Sequence, residues 1–337
     1  MKAVGYTETG SIDRPDALID FETERPTPTG QDLLVRVGAI SVNPVDTKVR
    51  QRRAPSDDKP AILGWDAAGE VVGVGEAVAN FSVGDRVYYA GDVNRPGTNS
   101  EFHLVDERIV GKVPGSIPTS AAAAMPLTTL TAYEMLFDRL RIDNPVPGGN
   151  KNLLIIGGAG GVGSITIQLA RALSDVTIIA TASRPETKAW VKELGAHHVI
   201  SHSEALGPQI EALGVGAVDF VYSTTHSQLY SEEVAGIMTP QGRYGLIDDP
   251  ESFDIIPFKS KAVSVHWEFM FTRPMFETAD MQRQADILNE VASLIDEGKV
   301  KSTVAESYGT INAANLIKAH ALLESGKSKG KIVLEGF

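Results

Sequence analysis

One stretch constrains the fold more than any other. Leu153-Leu-Ile-Ile-Gly-Gly-Ala-Gly-Gly-Val-Gly-Ser164 reads as a buried strand, a glycine-rich turn and the start of a helix. The four apolar residues Leu153 to Ile156 form the strand, and Val162, Ile165, Leu169 and Leu173 then recur at helical spacing. Between the two lies Gly158-x-Gly160-x-x-Gly163. In this pattern the first glycine permits a tight turn, the second lets the backbone approach a diphosphate, and the third lets the helix pack closely on its strand. Gly161, Val162 and Gly163 open the helix, where unpaired N–H groups and the helix dipole favour an anion. The expectation is a dinucleotide site; the other reading of the same residues is a tight turn without a ligand.

The rest of the chain narrows the class. At 337 residues it is long enough for two domains, each with its own core. A formal net charge of −12 disfavours nucleic acid and anionic membranes as partners. With no cysteine, disulfides, thiolate nucleophiles and cysteine-based zinc sites are excluded. MKAVGYTETG lacks a signal-peptide pattern and no run of 18 apolar residues occurs, so the expected location is cytoplasmic.

Residues 1–125 are read as β-rich, from β-branched runs at Leu33–Val37 and Glu70–Val74 separated by turn signals such as Pro26-Thr-Pro-Thr-Gly30 and Gly84-Asp85; such density of short strands suggests a partly open barrel. Residues 126–264 alternate strands with helices, as a doubly wound sheet does. Its second strand, Val176–Ala182, ends in Ser183-Arg184 rather than in the acid that bonds an NAD ribose. Arg184 and Lys188 suit a 2′-phosphate, which favours NADPH as cofactor, although Arg184 also reads as a solvated side chain. Ser183-Arg-Pro-Glu186 is in addition a capping-box pattern with Ser183 as N-cap. Ligands of such sheets bind beyond the strand ends, which places Ser223, Thr224, Ile247 and Asp248 near the nicotinamide. His197 and His198 read as a solvated helix end.

Several segments together resemble the medium-chain dehydrogenase/reductase superfamily. They are Ser41-Val-Asn-Pro-Val-Asp-Thr-Lys48, Gly64-Trp-Asp-Ala-Ala-Gly-Glu-Val-Val-Gly-Val-Gly75, Phe81–Val87, Pro126–Tyr133 and the glycine turn. The likeness is greatest to the quinone-oxidoreductase branch and its zinc-type alcohol dehydrogenase-like proteins, on Ile62–Gly69, Tyr89-Ala-Gly-Asp92, His266-Trp-Glu-Phe-Met-Phe271 and Gly309–Asn315. The resemblance implies an α/β protein: a Rossmann doubly wound parallel sheet domain (126–264) plus a GroES-like, partly open β-barrel catalytic domain (1–125 and 265–337). It implies a homodimer, and it places Thr128, His202 and Lys331 near the cofactor. The loop holding Tyr88, Tyr89, Asp92 and Arg95 falls at the cleft mouth, where its residues either cover the loop or contact substrate. Trp267, Phe269 and Phe271 alternate like residues on one strand face. With Tyr89 they are the candidates for the substrate pocket.

The chain departs from zinc alcohol dehydrogenases where it matters for chemistry. Those enzymes carry a Cys in the segment matching Ser41–Lys48 and Gly-His-Glu at Gly64-Trp65-Asp66. Here Asn43 and Pro44 occupy the first region, and the Trp65 indole cannot ligate a metal. No zinc and no metal site is therefore expected. The candidate catalytic groups are Asn43 as an amide donor to a developing oxyanion, Asp46 orienting it, and Trp65 stacking on a flat substrate. Asp66 reads as structural. The expected activity is zinc-independent, NADPH-dependent reduction of a small-molecule electrophile, a quinone or an activated enone or carbonyl, by direct hydride transfer. The alternatives are a zinc alcohol dehydrogenase with unconventional ligands and a non-catalytic NADPH-binding sensor.

Overall fold

The computed structural model describes residues 1–56 and 59–337. The chain forms two units, Met1–Leu130 with Phe271–Phe337, and Thr131–Met270.

The first unit is antiparallel for the most part. Its organising element is the strand Asp32–Val42, which pairs with three others. Its full length runs against Asp66–Val74, its first half against Phe102–Asp106, and its end against Lys331–Glu335. Register shifts after Leu34 and Val37 break its ladder with Asp66–Val74. Such bulges bend a strand and increase its twist, which lets one strand serve partners on both sides and begin to close a barrel. Arg86–Tyr89 and Val110–Lys112 extend the sheet, and Val304–Ser307 adds a parallel edge. Two expectations are corrected here. Tyr88 and Tyr89 lie on the strand Arg86–Tyr89 and are fully buried, not in a polar loop. The Tyr88 hydroxyl donates to the Leu288 carbonyl at 2.5 Å.

The second unit is a six-stranded parallel sheet. Along the sheet the strands are His198–Ile200, Thr177–Thr181, Asn152–Ile156, Val218–Ser223, Met238–Leu246 and Ser264–Trp267. Numbered in chain order this is 3-2-1-4-5-6, the doubly wound arrangement of a Rossmann fold. Asn152–Ile156 is buried along its whole length, as a central parallel strand must be. Leu154, Ile156, Ile179, Val221, Val234, Tyr244 and Phe258 share one core. The order reverses between Asn152–Ile156 and Val218–Ser223, so the crevice beyond their carboxyl ends is the ligand position of this topology.

Three local expectations in this unit are also corrected. The helix after the second strand is Pro185–Glu193 with Arg184, not Ser183, at its N-cap. Proline sits at the first helical position, so the third is Thr187, whose hydroxyl accepts from Arg184 N and donates to Arg184 O. The edge strand stops at Trp267, so Trp267, Phe269 and Phe271 do not share one strand face. His197 is half-buried rather than a solvated helix end: its Nδ1 accepts the Ile178 N–H at 2.8 Å.

Candidate functional site

The first unit holds a closed polar network at the start of the helix Pro44–Arg52. Lys331 opens the strand that pairs with the end of Asp32–Val42, and this register carries its side chain to the turn before the helix. Its ammonium donates to Val42 O at 3.0 Å, to Asp66 Oδ2 at 3.0 Å and to Asn43 Oδ1. The Asn43 amide nitrogen donates to Asp66 Oδ2 at 2.8 Å and to Ser41 O at 3.4 Å. Asp66 Oδ1 accepts the backbone N–H of Leu127 at 2.7 Å, which ties in the first turn of the helix carrying Thr128. All three side chains are buried, Lys331 at 3% and Asp66 at 0% exposure.

Counting donors corrects two expectations. An ammonium has three N–H groups and an amide two. Those of Lys331 and Asn43 are all committed within the network, so Asn43 has none to offer an oxyanion and Lys331 none to offer a cofactor. Trp65 is also buried. Its indole N–H donates to Asp92 O at 3.0 Å and its ring meets the edge of Phe271, so neither faces an open surface for stacking. Tyr89 is closed off as well, stacked on His103 with its hydroxyl 3.1 Å from His103 Nδ1. The other ring nitrogen lies 2.9 Å from Pro96 O, which can only accept. His103 therefore carries its proton on Nε2, and the Tyr89 hydroxyl donates to Nδ1. Burial pushes the His103 pKa down to about 4, so the ring is neutral.

Asp46 is the titrating member. Its Oδ2 accepts the Asn43 N–H at 2.8 Å, while Oδ1 is buried without a partner. Burial pushes its carboxyl up to about 7, against the Asn43 hydrogen bond and the Lys331 charge, which lower it; the nearby Asp66 also raises it. Between its ordinary value of 3.8 and about 7 the folded protein holds a proton that the unfolded chain has released. Stability therefore falls as pH rises through that window and levels off above it. Asp46→Asn keeps an acceptor for the Asn43 N–H and removes the titration. Between about pH 5.5 and pH 8.5 the parent is expected to lose roughly 2 kcal/mol more stability than the variant. Parallel urea curves whose difference does not change with pH would contradict this.

In the second unit the glycine turn is built by close approach. Gly157 has φ +82°, the left-handed conformation that favours glycine, and a Cβ there would lie 2.2 Å from Thr224 Oγ1. The tight-turn role expected of Gly158 thus belongs to Gly157. Gly158 instead lets the adjacent strand approach, since its Cβ would fall 2.9 Å from that of Ala180. At Gly163 a Cβ would sit 2.4 Å from Gly157 O, so the helix Gly161–Leu173 packs directly on the turn. At Gly160 the nearest atom to a Cβ would be Gly157 O, 3.6 Å away. No other atom comes within 4 Å of that position, and at the helix start the N–H groups of Gly161, Val162 and Gly163 have no acceptor within the helix.

The polar residues beyond the strand ends frame this turn. Thr224 Oγ1 donates to Ile156 O at 2.9 Å. Ser223 is buried, and its hydroxyl donates to Ser227 Oγ at 2.8 Å, because the single Ser227 proton goes to Asp248. Asp248 caps the helix Ser227–Ile237, accepting from Ser227 N at 2.8 Å and Ser227 Oγ at 2.5 Å. Ile247, beside it, is half-buried. Ser183 and Arg184 are half-buried and Lys188 and His202 are exposed; Arg184 pairs with Glu186 at 2.7 Å. Partial desolvation first, then the charges of Arg184 and His226, lower the His202 pKa even though the residue is exposed overall, so the three are electrostatic neighbours. Sequence reading did not single out His226. Its signal is local: it holds φ +51° at the start of a helix. Among the pocket candidates, Trp267 and Phe269 are 54% and 49% exposed, whereas Phe271 is buried.

Comparison with known proteins identifies the family. Residues 29–123 match the model of the alcohol dehydrogenase GroES-like domain, and residues 194–334 that of a zinc-binding dehydrogenase. A zinc-type alcohol dehydrogenase-like protein of Staphylococcus aureus (strain MSSA476) is 38% identical over 99% of both chains. The 2-methylene-furan-3-one reductase of Solanum lycopersicum is 28% identical over 99% of this chain and 79% of its own. A putative zinc-dependent alcohol dehydrogenase protein from Rhizobium etli CFN 42 superposes with a TM-score of 0.99 at 56% identity, covering 100% of this chain and 98% of that one. Escherichia coli quinone oxidoreductase complexed with NADPH superposes with a TM-score of 0.83 at 26% identity, covering 99% and 100%. The chain belongs to the medium-chain dehydrogenase/reductase superfamily of oxidoreductases. Within it, the Staphylococcus relative places it beside the zinc-type alcohol dehydrogenase-like proteins. No helix among the described residues is long and apolar enough to cross a membrane.

Proposed function

We propose that the protein is an NADPH-dependent reductase of quinones or activated enones and carbonyls that works without zinc. The observation carrying this reading is the closed network of Asn43, Asp66 and Lys331 beside a buried Trp65. A catalytic zinc needs three protein ligands and an open position. Here the chain has no cysteine, the indole nitrogen only donates, and both polar ends of the Asn43 amide are used by protein partners. No three His, Cys, Asp or Glu side chains among the described residues are grouped to hold a metal ion. This donor set does not fit zinc.

The glycine turn does fit a dinucleotide. The open face at Gly160 leaves room for a diphosphate, and the N–H groups of Gly161, Val162 and Gly163 supply donors at a helix N-terminus. Arg184 and His202 are electrostatic neighbours after the second and third strands, with Lys188 on the helix that Arg184 caps, and a 2′-phosphate would compete with Glu186 for the Arg184 guanidinium. Bound there, NADPH supplies a hydride. A quinone that accepts one becomes an aromatic hydroquinone anion and needs little help from an acid. The protein's task is then positioning, and the exposed Trp267 and Phe269 offer faces for a planar acceptor. The relatives named above include a quinone oxidoreductase and a 2-methylene-furan-3-one reductase.

The test is NADPH oxidation by chelator-treated protein with an ortho-quinone. Turnover that added zinc leaves unchanged is expected; activity regained only with zinc would overturn the reading. For cofactor choice, Arg184→Ala with Lys188→Ala is expected to weaken NADPH binding about tenfold or more and to leave NADH binding unchanged. Equal losses for both cofactors would refute the 2′-phosphate assignment. We propose further that the chain works as a homodimer, with the edge strand Ser264–Trp267 as the surface for self-pairing. Sedimentation at the mass of one chain would refute that.

A further inference from the structure

Glu268 is a buried acid that the proposed chemistry does not use. Its side chain is 0% exposed and pairs with the Arg139 guanidinium at 2.8 Å. Its backbone N–H continues the sheet ladder by donating to Leu246 O at 3.1 Å. Arg139 closes the π-helical turn Glu134–Arg139, an uncommon geometry that often marks functional positions. Tyr222, on the neighbouring face, donates to Thr131 O at 3.2 Å and feels the charges of Glu268 and Glu134. The residues on either side of Glu268 behave in the opposite way. Trp267, the last residue of the edge strand, and Phe269, just beyond it, are both about half exposed.

Burying the Glu268 charge is a poor way to gain stability, because its desolvation offsets the attraction of the partly exposed Arg139, and apolar side chains of similar volume often serve as well. What an ion pair adds is direction. Here the Glu268 carboxylate is held 2.8 Å from Arg139 Nε, and its fully buried side chain leaves it no alternative place in solvent. Anchoring the middle residue of three inward therefore fixes how the outer two face solvent.

We propose that Glu268 is a positioning residue: through Arg139 it fixes the segment that presents Trp267 and Phe269 to a planar substrate. This rests on the reductase reading above. Glu268→Gln, which keeps the shape and removes the charge, is expected to raise KM for an ortho-quinone about tenfold by freeing two aromatic side chains. The value of kcat and the affinity for NADPH should hold within about twofold. Because Glu268→Gln leaves Arg139 without its partner and can unfold the protein, the double variant Glu268→Met/Arg139→Met is the companion. It is expected to keep its Tm and still show the raised KM.

A second readout does not depend on turnover. In protein carrying 5-fluorotryptophan, the 19F resonance of residue 267, assigned by its loss in Trp267→Phe, is expected to be one narrow line in the parent and to broaden or split in the double variant. An unchanged KM in the folded double variant overturns the proposal whatever the line does. A parent that reduces no quinone refutes the reductase reading separately. In that case an unchanged line overturns the positioning role and a broadened one supports it.

Discussion

Replacing Lys331 by methionine is expected to destabilise the protein by about 3–5 kcal/mol, the usual loss when one partner of a buried ion pair is removed. The side chain is almost fully enclosed, and its ammonium is the one cation among the three side chains that meet there. Methionine fills similar space but leaves the Asp66 carboxylate inside without a countercharge, and strands Asn43 Oδ1 and Val42 O without a donor. Combining Lys331→Met with Asp66→Asn should recover about half of the loss, because the buried charge goes and an amide oxygen can still accept the Leu127 N–H. Urea denaturation of the two single variants and the double gives the coupling. A cost below about 1 kcal/mol for Lys331→Met would mean that the network does not depend on its cation. Function should follow stability here, because Asp66 ties the first turn of the helix carrying Thr128 to the loop at Asn43.

The network also shows where sequence reading stops. The glycine turn was legible because strand, turn and helix are contiguous and each has its own periodicity. The doubly wound sheet and the barrel-like first unit followed from patterns of the same local kind. What Asn43 and Lys331 do was not legible, because their partners are distant in sequence: Lys331 meets Asp66 across 265 residues, and Asp66 meets Leu127 across 61. A residue's type says that it can donate; only the fold says whether its donors are already taken. Trp65 shows the same limit, since an indole in a motif reads equally as a stacking surface or as core. Glu268 lies within the segment His266–Phe271, yet nothing local in that segment reveals that Arg139 sits opposite it. Even the helix cap was misplaced by one residue: the proline fixes the start, and a threonine three positions after the true cap supplies the hydrogen bonds.

The glycine turn can be tested in a way that separates folding from binding, because Gly163 and Gly160 face different things. Gly163→Ala places a methyl group 2.4 Å from Gly157 O and 2.7 Å from Gly158 Cα. Both are backbone atoms of the turn, with no flexible side chain to move aside, so the helix must shift away from its strand. A loss of about 1–3 kcal/mol is expected, as for overpacking elsewhere, together with loss of NADPH binding. Gly160→Ala meets nothing nearer than 3.6 Å, and its backbone, at φ −70°, suits alanine. Its stability should stay within about 0.5 kcal/mol of the parent. Yet its methyl group would occupy space at the proposed diphosphate site, so NADPH affinity should fall about tenfold to a hundredfold. Thermal melts and cofactor titrations on the two variants decide the matter. Full NADPH affinity in a stable Gly160→Ala would show that no diphosphate crosses this face. Loss of binding only in the destabilised Gly163→Ala would then report a disturbed fold and not a ligand site.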